Sequence, residues 1–168
     1  MTRDWGGPYN TPMLWRRRIE PFTRPLVYAF FRFKRGLTLG VRAVVTDEEG
    51  RVLLLQHTYV HGWYLPGGGV ERGETAELAV VRELQEEAGV RALSRPRLVS
   101  AHSNEVLHPG DHVLVYRIEA WETCASNAAG EIHAVGWFDP HDLPEETTRA
   151  TRRRIAEALH GEEPDAMW

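Results

Sequence analysis

Sulfur chemistry is nearly absent from this chain, whose 168 residues contain a single cysteine, Cys124. A lone thiol excludes an internal disulfide framework and a thiolate zinc cage, and it fits a reducing compartment, so a cytoplasmic location is expected. Long apolar runs are also missing. The longest, Pro25 to Phe31, has seven residues, against the roughly 18 to 20 that cross a bilayer. No basic segment leads into an apolar stretch with a small-residue cleavage site, so neither a transmembrane segment nor a secretory leader is expected. Several nucleotide and hydrolase patterns do not occur. GxxxxGK[ST] is absent, a GxGxxG frame begun at Gly67 ends on Arg72, and no GxSxG offers a serine elbow. His108 and His112 flank Pro109 and Gly110, so they do not share a helical face as a zinc-binding histidine pair would.

What is present suits one globular domain: 42% hydrophobic and 26% charged residues, in a length that one core can serve. Charge is unevenly placed. Residues 1–40 hold eight Lys/Arg against Asp4 and Glu20, a local balance of +6, which leaves −10 on the remainder of a chain whose total is −4. The pattern divides the chain into a basic, aromatic-rich N-terminal extension at 1–35, a main domain at 36–162 and a short tail at 163–168. With Pro21 and Pro25 interrupting any single helix, two short helical pieces are expected in the extension. Its arginines and aromatics suit packing against its own domain or a second copy of the chain, an anionic membrane surface, or RNA.

Within the domain, Leu37 to Val45 alternates at period two, a turn follows at Asp47 to Gly50, and Val52 to Leu55 completes an expected β-hairpin. Gly67 to Gly73 forms a glycine-rich loop ahead of a helix expected over Thr75 to Ala88, which Gly89 stops. Strands are expected at Arg97 to His102, His112 to Trp121 and Ile132 to Phe138, and a last helix at Thr147 to Leu159. That helix would carry Arg152, Arg153 and Arg154 on its polar face and bury Ile155, Ala158 and Leu159.

On a helical wheel Glu83, Glu86 and Glu87 fall within about 100° of one another, while Leu78, Val81, Leu84 and Ala88 gather on the opposite side. Glu83 and Glu87 form an i,i+4 like-charge pair, and no lysine on the helix tempers it. A divalent cation resolves the conflict, because clustered hard oxygens are what Mg²⁺ or Mn²⁺ require. The glycine loop beside the helix N-terminus lets a phosphate-bearing ligand approach. Trp63 and Tyr64, before the loop, can stack on a nucleobase, and Arg72 within it can meet a phosphate.

Gly68, Glu74, Arg82, Glu83, Leu84, Glu86, Glu87, Gly89 and Val90 stand at the spacing of a complete Nudix box, and the chain from Leu37 to Leu159 resembles the Nudix hydrolase family. The resemblance implies an α/β/α sandwich with a mixed β-sheet, to which the helical extension is added. It also implies hydrolysis, with Mg²⁺ or Mn²⁺, of a nucleoside diphosphate linked to another moiety. By position, Gly67 (through its carbonyl), Glu83, Glu86 and Glu87 would be metal ligands, and Glu83 or the distal Glu131 the general base. Gly68, Glu74, Arg82 and Gly89 would hold the motif together, and Trp63, Tyr64 and Arg72 would contact substrate. ADP-ribose, nucleotide sugars and nucleoside triphosphates all satisfy this reading. An RNA 5′-end pyrophosphohydrolase and a non-catalytic nucleotide sensor are the rivals it leaves.

Overall fold

The computed structural model describes residues 36–126 and 130–168. The helical pieces expected within 1–35 lie outside the described residues. Seven strands and two helices follow in order: β1 (Thr38–Val45), β2 (Val52–His57), α1 (Ala76–Ala88), β3 (Val90–Ala92), β4 (Arg97–Ser103), β5 (Asp111–Ile118), β6 (Trp121–Thr123), β7 (Ile132–Phe138) and α2 (Arg149–Leu159). No helix among the described residues is long and apolar enough to cross a membrane.

The turn at Asp47 to Gly50 forms as expected. Gly50 donates its N–H to the Asp47 carbonyl at 3.1 Å, and the Asp47 carboxylate accepts from the Arg51 N–H at 2.8 Å and its Nε at 2.7 Å. The hairpin does not. β1 pairs in parallel with β5, Thr38 opposite Asp111 through Val45 opposite Ile118, while β2 pairs antiparallel with β7. A single bridge, Thr46 to Val52, joins the two arms of the turn. Burial explains the divergence: Val52 to Leu55 are all inside, so β2 needs cover on both faces, which a two-stranded hairpin cannot provide. β4 adds antiparallel to the other edge of β5 and makes a mixed sheet in the order β1-β5-β4. β3, unforeseen because three residues are too few to show a period, pairs with β6.

Alternation along the strands builds two cores. Val41, Ala43, Val45 and Leu53 point one way and meet Ala79, Val80 and Leu84 of α1. Val44, Val52, Leu54 and Val115 point the other way and meet Ile155 and Ala158 of α2. Helix, strands and helix thus form the three layers of an α/β/α sandwich.

Both helices are capped by their own sequence. The Thr75 hydroxyl accepts from the Leu78 N–H at 3.2 Å, and Gly89 closes α1 in the left-handed region at φ 63°. Thr148 caps α2 through the Thr151 N–H at 3.2 Å. Their buried faces differ from those expected. Leu78 is 61% exposed, and the inward arc of α1 is turned toward Glu83 and Glu87, which the glycine loop half covers. Arg154, expected on the polar face of α2, is fully buried. Its Nη2 donates to Glu157 Oε1 at 2.6 Å and its Nη1 to the Met167 carbonyl at 3.2 Å. The segment set apart as a tail packs back on the domain: Ser103 donates to the Ala166 carbonyl at 2.8 Å and accepts from the Trp168 N–H at 2.9 Å.

Candidate active site

The glycine loop runs along β1 as a short extra strand. Ala43 donates to the Pro66 carbonyl at 2.8 Å, Val41 to the Gly68 carbonyl at 2.9 Å, and Val70 to the Leu39 carbonyl at 2.8 Å. Gly67 must be glycine, because its φ is 139° and a β-carbon there would overlap the Val41 carbonyl. A β-carbon on Gly68 would strike the Glu83 carboxylate. The loop therefore lies directly on two carboxylates of α1, and the Gly67 N–H donates to Glu87 Oε2 at 2.8 Å.

Arg82 ties the same loop down. Its Nε and Nη2 grip Glu74 at 2.9 and 3.1 Å, a bidentate pair, and Nη2 also reaches the Gly69 carbonyl at 3.1 Å. Nη1 donates to Glu83 Oε1 at 2.8 Å and Glu86 Oε2 at 3.3 Å. These contacts, the Glu74 bond foremost, hold the guanidinium above arginine's usual pKa. Glu87 is in the opposite condition. Burial pushes its pKa up to about 7, with Glu83 and Glu131 adding to the rise; the Gly67 N–H and the charge of Arg42 oppose it. The helix thus presents two carboxylates shared with an arginine and one that burial has left short of positive charge.

A cleft of about 520 Å³ opens beside the loop, lined among others by Arg42, Tyr64, Gly68, Gly69, Asn104 and Trp168. Its volume lies within the range of small-molecule sites. Asn104 is oriented by donating to Asp111 Oδ2 at 2.8 Å, and Thr38 donates to Asp111 Oδ1 at 2.7 Å.

The aromatic candidates part company here. Tyr64 lines the cleft and donates its hydroxyl to the His61 carbonyl at 2.7 Å. Trp63 is instead partly buried against the core, edge-on to Phe138 with ring centres 4.6 Å apart. Tyr59 and His61 border a separate cavity of about 440 Å³ with His57, His133 and Glu146. Arg72 is exposed on the loop. Glu131 is exposed at the turn before β7, where its carbonyl accepts from the Thr58 N–H at 2.9 Å, and its charge is felt at both Glu87 and His57.

Arg42, Asn104 and Trp168 escaped the sequence reading. Arg42 was hidden by β1's alternation, in which every second residue reads as outward; a single arginine on a strand with both faces covered was the available signal. Asn104 and Trp168 carry no local signal, because only the fold brings them to the loop.

Among the described residues no three carboxylate, imidazole or thiol groups stand close enough to form a finished metal cage. Arg82 pairs with Glu83 and Glu86, and Glu87 accepts instead from the Gly67 N–H. The donor set nevertheless fits a hard divalent cation: three carboxylates and a backbone carbonyl on one short unit, with Glu87 forming no ion pair among the described residues.

The NUDIX domain family model matches residues 36–159. A MutT-like protein of Streptomyces ambofaciens is 32% identical over 127 residues, which cover 76% of this chain and 80% of that protein. A Bacillus subtilis protein provisionally named an 8-oxo-dGTP diphosphatase is 29% identical over 124 residues, 74% of this chain and 81% of its own. Among solved structures, the MutT NUDIX hydrolase of Burkholderia pseudomallei superposes with a TM-score of 0.62 at 30% identity, over 73% of this chain and 98% of that one. Since the matched stretch contains the whole loop-and-helix unit that gathers the carboxylates, the chain belongs to the NUDIX domain family and is a Nudix pyrophosphohydrolase.

Proposed function

We propose that the enzyme hydrolyses a phosphoanhydride in a nucleoside triphosphate, with Mg²⁺ or Mn²⁺ as cofactor. One observation carries the reading: the cleft shares Gly68 and Gly69 with the loop that covers Glu83 and Glu87. A nucleoside in the cleft would therefore extend its phosphates toward the carboxylates. The name of the 8-oxo-dGTP diphosphatase relative supports the triphosphate class over ADP-ribose and nucleotide sugars.

In this mechanism Glu86, Glu87, the Gly67 carbonyl and one oxygen of Glu83 would hold the cation, which would supply charge neutralisation and Lewis acidity at the diphosphate. Arg42 lies at the cleft wall, where its charge interacts with Glu87 and Glu83, and it binds a phosphate oxygen as a fixed cation. Arg82 keeps the glycine loop seated on the helix. Glu83 accepts the proton of the attacking water, with Glu131 the second choice of base. Tyr64 borders the nucleoside and helps to exclude water from it.

Phosphate-product analysis across nucleoside triphosphates, ADP-ribose, nucleotide sugars and 5′-triphosphorylated RNA, with Mg²⁺ and then Mn²⁺, tests the reading against a Glu87→Gln blank. Metal-dependent release from triphosphates that vanishes in the blank is expected. Turnover confined to another class would replace the substrate, and turnover surviving in the blank would remove the site assignment.

A further inference from the structure

Residues 165–168 are held by an unusual investment of buried polar groups. His102 of β4 donates Nδ1–H to the Asp165 carbonyl at 2.6 Å, and its Nε2 is paired with the Ser100 hydroxyl at 2.7 Å. From α2, Glu157 Oε1 accepts from the Asp165 N–H at 3.2 Å, Arg154 donates to the Met167 carbonyl at 3.2 Å, and Arg153 pairs with the Asp165 carboxylate. Met167 forms a parallel bridge to Ser103, so the segment extends the sheet beyond β4. Burying a guanidinium and a carboxylate together is costly and seldom improves stability over an apolar pair. Here it fixes the path of the chain. The product of that path is Trp168, whose ring lies 5.4 Å from the Arg154 guanidinium, stands edge-on to His102 at 5.8 Å, and lines the cleft that contains Gly68 and Gly69.

We infer that residues 165–168 form a strap that builds one wall of the substrate cleft, and that Trp168 is a specificity-determining residue that recognises the nucleobase through its aromatic surface. The inference rests on the nucleotide reading of the cleft. An indole is rigid, offers a large flat area and pays little entropy on binding, and Arg154 and His102 set its position before the ligand arrives. Contact between a base and an aromatic ring tolerates every base, so the wall favours nucleotides as a class over base-free polyphosphates. Asn104 and Asp111, also at the cleft, supply the polar groups able to distinguish one base from another.

The test uses the full chain with Trp168→Phe and Trp168→Leu, the first keeping an aromatic ring and the second only apolar packing; melting curves confirm that both variants fold. The readouts are KM and kcat for dGTP with Mg²⁺, Ki for inorganic triphosphate as a base-free competitor, and calorimetric Kd for dGMP. Trp168→Leu is expected to raise KM and the dGMP Kd about tenfold, with a smaller change in kcat, and to leave the triphosphate Ki within about twofold. Trp168→Phe should recover most of the loss. Equal behaviour of the two variants, or equal weakening of dGTP and inorganic triphosphate, would overturn the inference. If the wild type hydrolyses no nucleoside triphosphate but binds dGMP, and Trp168→Leu weakens that binding, the function proposed above fails while the strap stands. If the wild type does not bind dGMP either, both fail.

Discussion

Two places in this domain take charged side chains out of water, and they are built in opposite ways. Under the strap, Arg154 and Glu157 neutralise each other at 2.6 Å and backbone groups of residues 165 and 167 fill further positions, while Arg154 Nε and Glu157 Oε2 stay buried without a hydrogen bond. Under the glycine loop, Glu87 receives a backbone N–H at 2.8 Å and, among the described residues, the charge of Arg42 without an ion pair. The structural cluster pairs its own charges, whereas the carboxylate under the loop is left, on the reading proposed above, for a bound cation to complete. The difference separates two groups of acidic and basic residues that look alike in the sequence.

The sharpest way to break the comparison is to unpair the first cluster. Glu157→Ala should destabilise the domain by about 3 to 5 kcal/mol in denaturant unfolding, since it leaves a buried guanidinium without its partner; a loss below about 1 kcal/mol would show that Arg154 is not dependent on it. Glu87→Gln should do the reverse. It should keep or slightly raise the melting temperature of the metal-free protein while lowering kcat by about 10²- to 10³-fold, and a variant that lost stability instead would place Glu87 with the structural cluster. Arg42→Ala should raise KM for the nucleotide about tenfold with intact folding, the loss of a charged hydrogen bond to phosphate. An unchanged KM would confine Arg42 to holding Glu87.

A smaller effect concerns acidity. Burial, and then the positive charge of Arg154, hold His102 below its ordinary value of 6.5; the Asp165 carbonyl and Glu157 act in the other direction, and Arg153 adds to the depression. The unfolded chain then binds this proton at a higher pH than the folded one. Stability is therefore fully present above the ordinary histidine value and declines as pH falls below it. Urea midpoints for the wild type should drop between about pH 7 and 5 more steeply than those of His102→Asn; parallel slopes would mean that His102 does not titrate in this window. The smallest effect is the control. Arg95 grips Glu77 with Nη2 at 2.8 Å, but on an exposed surface, so Arg95→Ala should cost less than about 1 kcal/mol.

Much of the loop-and-helix unit could be read from residues in line, because its turns, caps and carboxylate spacing are local. Gly67 to Gly89 carries its own turn glycines, the Thr75 cap, the Gly89 stop and three carboxylates at helical spacing. The wheel nevertheless put Glu83 and Glu87 opposite the packing face, and a loop that half buries both could not be anticipated from spacing. The Asp47 to Gly50 turn was legible for the same local reason, yet its flanking strands went to different partners, since pairing depends on which surfaces remain to be covered. Trp63 and Tyr64 are adjacent and chemically similar, but one packed against the core and the other entered the cleft because successive side chains in extended backbone point to opposite sides.

The sequence by itself determined the family, the layered α/β/α class and the carboxylate helix, since each rests on short-range spacing, capping and alternation. Only the tertiary structure decided that Arg154 is buried, that Arg42 faces the carboxylates from another strand, and that residues 165–168 return to place Trp168 beside a loop about a hundred positions earlier in the chain. These are facts of burial and charge compensation between distant segments, and such energies exist only once the chain has closed on itself.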